Sequence, residues 1–490
     1  MDAVKKRRVI FGAVILLIIL IGATALLNFN SKTTTQDTGV SGINVDNGDA
    51  KINWSKYSTS NVSLSESLEI KESGIYHLTG ELKDGSITVD VGDQNGVVKI
   101  ILDSVSIRNE SGPAIYVKSA DDVVVETTKD TKNYLYSGTT FADFGEEDVN
   151  GTIYSMGDLS FSGDGYLYVE SNYQDAIVSK DDLMIRSGEI EVSSVDDGIR
   201  GKDSVYISGG KLSIVAKQDG IKSTNTDDKT KGFVYIEDGE IEISVSDDGI
   251  HATSSLVIDG GKINISKSYE GLEGGKIVIN GGKINVVAND DGVNVAGGND
   301  ESAFMRPGAQ SFSEDVDYNL IINGGDVYVN SVGDGLDSNG SIYINGGNVV
   351  VDGPINSANG ALDAEMGIYL NGGSVIALGA SGMAQSFVDS SVAYGASIFF
   401  TASQAKGTVV SIKDDEGNEV FSHTSSKSFN HVAAGTDKFE FGKTYIIYIN
   451  GEKYETFTIN SVVTTVGAQN GGMNGGMVRN GGQNPQNMQR

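Results

Sequence analysis

The chain has 490 residues, with 66 acidic against 36 basic side chains, a formal net charge of −30 and no cysteine. That charge excludes a nucleic-acid backbone as partner and favours bound cations. The absence of cysteine excludes disulfides and thiolate metal sites, so stability must come from burial, backbone hydrogen bonds or ions.

In chain order, residues 1–8 are a basic cytoplasmic segment containing Lys5-Lys6-Arg7-Arg8, and residues 9–27 form an uncharged, largely apolar run. At about 1.5 Å rise per residue that run nearly crosses a hydrocarbon core, with the basic cluster on the cytoplasmic side. It reads as an anchor in the cytoplasmic membrane. The alternative is a signal peptide cleaved near Ala25, where Ala23-Thr24-Ala25 is a small-x-small site. Either way the remainder lies outside the cell. Residues 28–53, rich in Thr, Ser, Asn, Asp and Gly, read as a linker.

From residue 54 the pattern turns to short strands, among them Ser86 to Val91, Val97 to Leu102 and Asp122 to Glu126. A repeat then takes over. An acidic residue, a small residue and an apolar residue recur as Asp175-Ala176-Ile177, Asp197-Gly198-Ile199, Asp219-Gly220-Ile221, Asp248-Gly249-Ile250, Glu270-Gly271-Leu272, Asp291-Gly292-Val293 and Asp334-Gly335-Leu336, with a looser copy at Asn359 to Leu362. Most copies stand 21 or 22 residues apart. A turn glycine keeps the same phase, at Gly188, Gly210, Gly239, Gly261, Gly282 and Gly325, then Gly347 and Gly373.

Each repeat carries three strands, and in one sample alternation puts Val205, Ile207, Leu212, Ile214 and Ile221 on one side. One such unit cannot bury its apolar face alone, but stacked units make a continuous core. The predicted fold is all-β, a right-handed parallel β-helix of roughly ten coils over residues 54–395. Residues 297–317 and Asn133 to Asn150 read as inserts. Residues 396–466 read as a C-terminal β cap, and 467–490 as a disordered Gly/Asn/Gln/Met tail.

Stacking coils stacks their acidic residues. Two carboxylates about 4.8 Å apart repel by roughly 3.5 kcal/mol at an effective dielectric of about 20, so a column of them needs neutralising. The residue after each apolar position forms a second, outward column of Val178, Arg200, Lys222, His251, Glu273, Asn294, Asp337 and Asp363. Its first half is basic and its second half is not. The predicted metal set is Asp197, Asp219, Asp247, Asp248, Glu270, Glu273, Asp290, Asp291, Asn294, Asp334, Asp337, Asn359 and Asp363. Within it, Glu270, Glu273, Asp291 and Asn294 would make one cage, and Asp334, Asp337, Asn359 and Asp363 another. Oxygen ligands of this kind select calcium (Ca2+). The competing reading is that each Asp only caps a turn by accepting backbone N–H bonds.

The predicted sugar contacts are Arg200, Lys222 and His251 with Tyr206 and Tyr235, which belong to an outward stripe of tyrosines and aliphatics. A stripe this apolar is more often covered than exposed. No catalytic residue is assigned, because Arg200 and Lys222 stand beside Asp197 and Asp219.

Gly74-Ile75-Tyr76-His77-Leu78-Thr79-Gly80, Asp84 to Val89, Gly112 to Val117 and the Asp-Gly-Ile repeats together resemble the bacterial carbohydrate-binding β-helix family that binds cellulose and polygalacturonate. The resemblance spans roughly residues 55–460. It implies pectate-lyase-like architecture, calcium along the helix, and binding rather than cleavage. The expected function is therefore calcium-dependent polysaccharide binding by a monomer at the cell surface. A calcium-dependent pectate lyase and a calcium-stiffened adhesin are the alternatives.

Overall fold

A computed structural model of the protein describes residues 45, 48–92, 96–145, 148–296 and 318–468. The segment 9–27, most of the linker, the insert 297–317 and the tail from 469 lie outside the described residues. Among the described residues no helix is long and apolar enough to cross a membrane.

The described chain is nearly all strand, in a β-helix-like solenoid. A short helix at Gly48–Lys51 and a 3-10 turn at Trp54–Lys56 precede it. Three parallel ladders then run along its length, because each repeat contributes one strand to each. In the first ladder the signature apolar residues stack in register as Ile177, Ile199, Ile221, Ile250, Leu272, Val293, Leu336 and Leu362. All are buried. The second ladder aligns Leu183, Val205, Val234, Leu256, Ile277, Leu320, Ile342 and Ile368. The third aligns Ile190, Leu212, Ile241, Ile263, Ile284, Val327, Val349 and Val375. These columns form one core, and each aliphatic side chain contributes about 1.5–3 kcal/mol by leaving water.

Two kinds of glycine hold the repeat together. The turn glycines sit at positive φ, as at Gly210 with φ 90°, where an L side chain is strained. The signature glycines are required by close approach instead. A β-carbon on Gly220 would stand 2.6 Å from the Gly249 carbonyl oxygen and 2.9 Å from a methyl of Ile243.

Asn133 to Asn150 is not wholly an insert. Lys132–Ser137 is a strand of the third ladder, paired with Ser106 to Asn109 on one side and Tyr166–Glu170 on the other. Its inward positions include the polar Asn133 and Ser137, fully buried beside Leu135, which hides the alternation. Asn133 accepts the Val105 N–H at 2.9 Å and donates to the Tyr166 carbonyl at 3.1 Å, replacing the water it lost. Of the described residues the irregular ones are 138–145 and 148–150, and Phe141 and Phe144 pack over Tyr116, Tyr154 and Val178.

The parallel stack ends at Ser374–Gly379, which pairs antiparallel with Phe429–Thr436. Tyr394–Gln404 continues that sheet, and a separate four-stranded antiparallel sheet is built from Val409–Asp414, Glu419–Thr424, Thr444–Ile449 and Glu452–Thr458. The reversal covers an edge that would otherwise template further pairing.

Candidate cation and glycan site

The Asp-Gly-Ile signature does three jobs at once. Its apolar residue enters the core, its glycine admits the next coil, and its carboxylate reaches along the stack. The Asp197 N–H donates to Asp175 Oδ1 at 3.1 Å, Asp219 N–H to Asp197 Oδ1 at 3.1 Å, Asp248 N–H to Asp219 Oδ1 at 2.9 Å, and Glu270 N–H to Asp248 Oδ1 at 3.2 Å. The pattern resumes where Asp334 N–H donates to Asp291 and Gly360 N–H to Asp334. Turn capping is thus real here, but it is made between coils. It uses one oxygen of each accepting Asp and leaves the other to be neutralised.

In the first half that neutralisation is local. Arg200 lies 2.8 Å from Asp175 and 4.0 Å from Asp197, and Lys222 lies 3.9 Å from Asp197 and 2.6 Å from Asp219. His251 sits 3.4 Å from Asp248 and also contacts Glu273. Burial alone would push the His251 imidazole down, but Asp248 and Glu273 outweigh it and raise it to about 11, so it is cationic. Each base therefore lies between two acids of the stack.

Past His251 the bases stop and the acids continue. Register places Glu273, Asn294, Asp337 and Asp363 in succession on the outward column. Among the described residues no Lys, Arg or His pairs with Glu270, Asp291, Asp334, Asp337 or Asp363. Burial, then the charges of Asp248 and Glu273, push the Glu270 carboxyl up to about 9. Burial, then Asp291, Asp334 and Asp363, push Asp337 up to about 8. Asp291 rises to about 7 and Asp334 to about 6, burial leading in both. Burial would likewise raise Glu273, but His251 overcomes it and holds that carboxyl low.

Asn294 is buried at 4 % exposure. It donates to Glu270 Oε2 at 2.8 Å, while its Oδ1 has no hydrogen-bond partner. Ligand atoms of Asp248, Glu270 and Glu273 lie within 4.8 Å of one another. These oxygens fit a hard cation: the donors are carboxylates and an amide, Glu270 has no base of its own while Asp248 and Glu273 share His251, and the buried Asn294 oxygen is unused.

The two predicted cages fare differently. Glu270, Glu273 and Asn294 do come together, with Asp248 where Asp291 was expected. Asp334, Asp337 and Asp363 do not converge to that distance among the described residues. Asp334 is taken by the Gly360 N–H, and Asp363 by the amide of Gln385. Asp247 and Asp290 are partly exposed beside the column, and the Asp290 carboxylate, with burial, raises Tyr269 to about 12. No described side chain converges on Asn359. Asp175, read as a copy of the signature but left out of the predicted metal set, belongs to the array, and so does Gln385, which was not predicted. Gln385 follows the last repeat and carries no periodic signal.

Tyr206 and Tyr235 do not form a sugar platform. They are 4 % and 0 % exposed, stacked on each other at 5.3 Å between centroids, with Arg186 over Tyr206. Their hydroxyls bond Glu237 and Asp259. The second ladder puts them where burial favours an apolar stripe, so neither ring has an open face.

Residues 65–313, which contain the repeat from its start through Asn294, match the family model of carbohydrate-binding domain-containing proteins. The chain belongs to that family. A member from Acetivibrio thermocellus, described in the same words, is 35% identical over 176 residues, which is 35% of this chain and 61% of that protein. The chain thus spans about three fifths of that relative's length. A solved structure, the polysaccharide lyase-like protein from C. thermocellum as a gadolinium derivative, is 29% identical. The match covers 49% of this chain and 97% of that one, with a TM-score of 0.41.

Proposed function

We propose that the protein is a non-catalytic polysaccharide-binding protein of the cell surface, held in the membrane by residues 9–27. It grips acidic glycan such as polygalacturonate through calcium on the acidic half of its column. Membership of a carbohydrate-binding family supports the class of ligand. The single observation that carries the cation is the mismatch between columns: bases end at His251 while acids run on to Asp363.

Glu270, Glu273 and Asn294 with Asp248 would hold one ion, and Asp291, Asp334 and Asp337 would gather around another. A bound calcium would supply the positive charge that a uronate carboxylate can share. The protein's own residues do the rest. Asn294 orients Glu270, the backbone N–H of each coil fixes the next carboxylate, and Arg200, at about a quarter exposed, adds a cation at the column's other end. Arg200 and Lys222 are held in ion pairs, which makes either a poor base for removing a sugar proton. In fold terms the same proposal takes the solenoid as a right-handed parallel β-helix of roughly ten coils.

Retention of the chain on immobilised polygalacturonate, with calcium and then with chelator, tests this. Retention that calcium switches on is expected. Equal retention in both buffers would remove the ion bridge, and release of unsaturated uronides would make the protein a lyase.

A further inference from the structure

The third ladder carries an aromatic lattice on its outer face, in strands that precede the acidic half of the column, Glu270 to Asp363. In Lys132–Ser137 and Tyr166–Glu170 the inward residues Asn133, Leu135, Ser137, Leu167 and Val169 are fully buried. Alternation therefore turns the others outward. Register sets Lys132 beside Tyr166, Tyr134 beside Tyr168 and Tyr136 beside Glu170. Four tyrosines thus share two adjacent strands, all partly exposed.

Their rings touch one another at centroid distances of 5.8–6.4 Å. Their rim is polar and oriented. The Tyr166 hydroxyl donates to Glu191 at 2.7 Å and the Tyr168 hydroxyl to Glu170 at 3.0 Å. Arg108 lies 4.7 Å from the Tyr136 ring and Lys132 5.8 Å from the Tyr166 ring. The repeat does not demand these aromatics, since the next strand along carries Glu189, Glu191 and Ser193 at the same positions.

Charge on this face is close to balanced, with Arg108, Lys132 and Lys211 against Glu110, Glu170, Glu189 and Glu191, and Arg108 also lies 3.9 Å from Glu110. Arg108 and Lys132 offset Glu170 and Glu191, and Glu189 is paired with Lys211 at 2.8 Å. Such a face neither draws a polyanion nor needs a cation. Aromatic faces take the C–H side of a pyranose, while carboxylates and cations at the rim take its hydroxyls. All of these residues lie inside the segment that matches the carbohydrate-binding family.

We infer that the tyrosine lattice of Tyr134, Tyr136, Tyr166 and Tyr168 is a second glycan site, one that binds a neutral pyranose chain without calcium. The inference rests on polysaccharide binding as the protein's role. The lattice lies on a different ladder from the acid column and relies on different chemistry.

The test uses the whole protein on insoluble cellulose in chelator and on polygalacturonate in calcium. The wild type is expected to be retained by both. Tyr136→Ala with Tyr168→Ala should weaken cellulose retention about tenfold or more and leave polygalacturonate retention unchanged; Tyr136→Phe with Tyr168→Phe should keep both. Cellulose retention unaffected by the alanines, or a wild type retained by polygalacturonate alone, overturns this site and leaves the acid column standing. Retention by neither polymer fails the underlying role itself. Should the alanine variant not fold, hydrogen exchange of the wild type with cellohexaose decides: slowed exchange over 132–137 and 166–170 supports the lattice, and unchanged exchange there overturns it.

Discussion

Asn294 donates its amide to Glu270 Oε2 at 2.8 Å and keeps its own oxygen buried without a hydrogen-bond partner. An unpaired buried acceptor costs about 1–3 kcal/mol, and beside uncompensated carboxylates it is what a cation would relieve. Replacing Asn294 by Leu removes that oxygen. Calcium is then expected to raise the melting temperature less than in the wild type, by a third or more on the order-of-magnitude view that one ligand of several is lost. Calorimetry with and without calcium measures it, and an undiminished calcium increment would place the ion elsewhere.

The raised carboxyls set a pH dependence. In the cation-free protein Glu270, Asp291, Asp334 and Asp337 hold their protons to about 9, 7, 6 and 8, whereas unfolded they release them near pH 4, roughly. Between those limits the folded state binds more protons, so stability falls as pH rises. In chelator the melting temperature should drop from pH 5 to pH 8. With saturating calcium the drop should shrink or reverse, since the ion binds the deprotonated form.

Asp337→Asn removes a charge from the uncompensated run. In chelator at pH 8 or above it is expected to stabilise the protein by about 1 kcal/mol, because like charges at this spacing repel and Asp337 keeps some solvent. The same change should reduce retention on polygalacturonate in calcium. Urea unfolding and the retention assay together separate relief of repulsion from loss of a ligand.

His251 is the last base of the column and is almost fully buried. His251→Leu leaves Asp248 and Glu273 facing each other without a cation. A loss of about 3 kcal/mol is expected in chelator, read by urea unfolding, with calcium recovering part of it. A neutral outcome would mean the two carboxyls already share a proton and need no base.

Gly220→Ala probes the stacking itself. Its β-carbon would meet the Gly249 carbonyl at 2.6 Å, backbone against backbone, so a loss of about 2 kcal/mol or more is expected. Urea unfolding checks it.

Much of this protein was legible before folding. The spacing of Asp197, Asp219 and Asp248 gave the repeat, and Ile199, Ile221 and Ile250 gave the core column, because a solenoid converts sequence periodicity directly into contact. The same logic put Arg200, Lys222, His251 and Glu273 in one outward line, since residues at equal phase must stack. Three things escaped it. Lys132–Ser137 was hidden because Asn133 and Ser137 are satisfied inside by hydrogen bonds that only neighbouring coils supply. Tyr206 and Tyr235 were placed on the right face, but whether an outward stripe is open depends on what lies across it, which periodicity does not encode. The pairing of each signature carboxylate with the next coil's N–H, and the entry of Gln385 at Asp363, were decided by the tertiary structure alone. Sequence phase determines which residues stand in line; only the three-dimensional approach of distant segments determines which of their atoms remain unpaired.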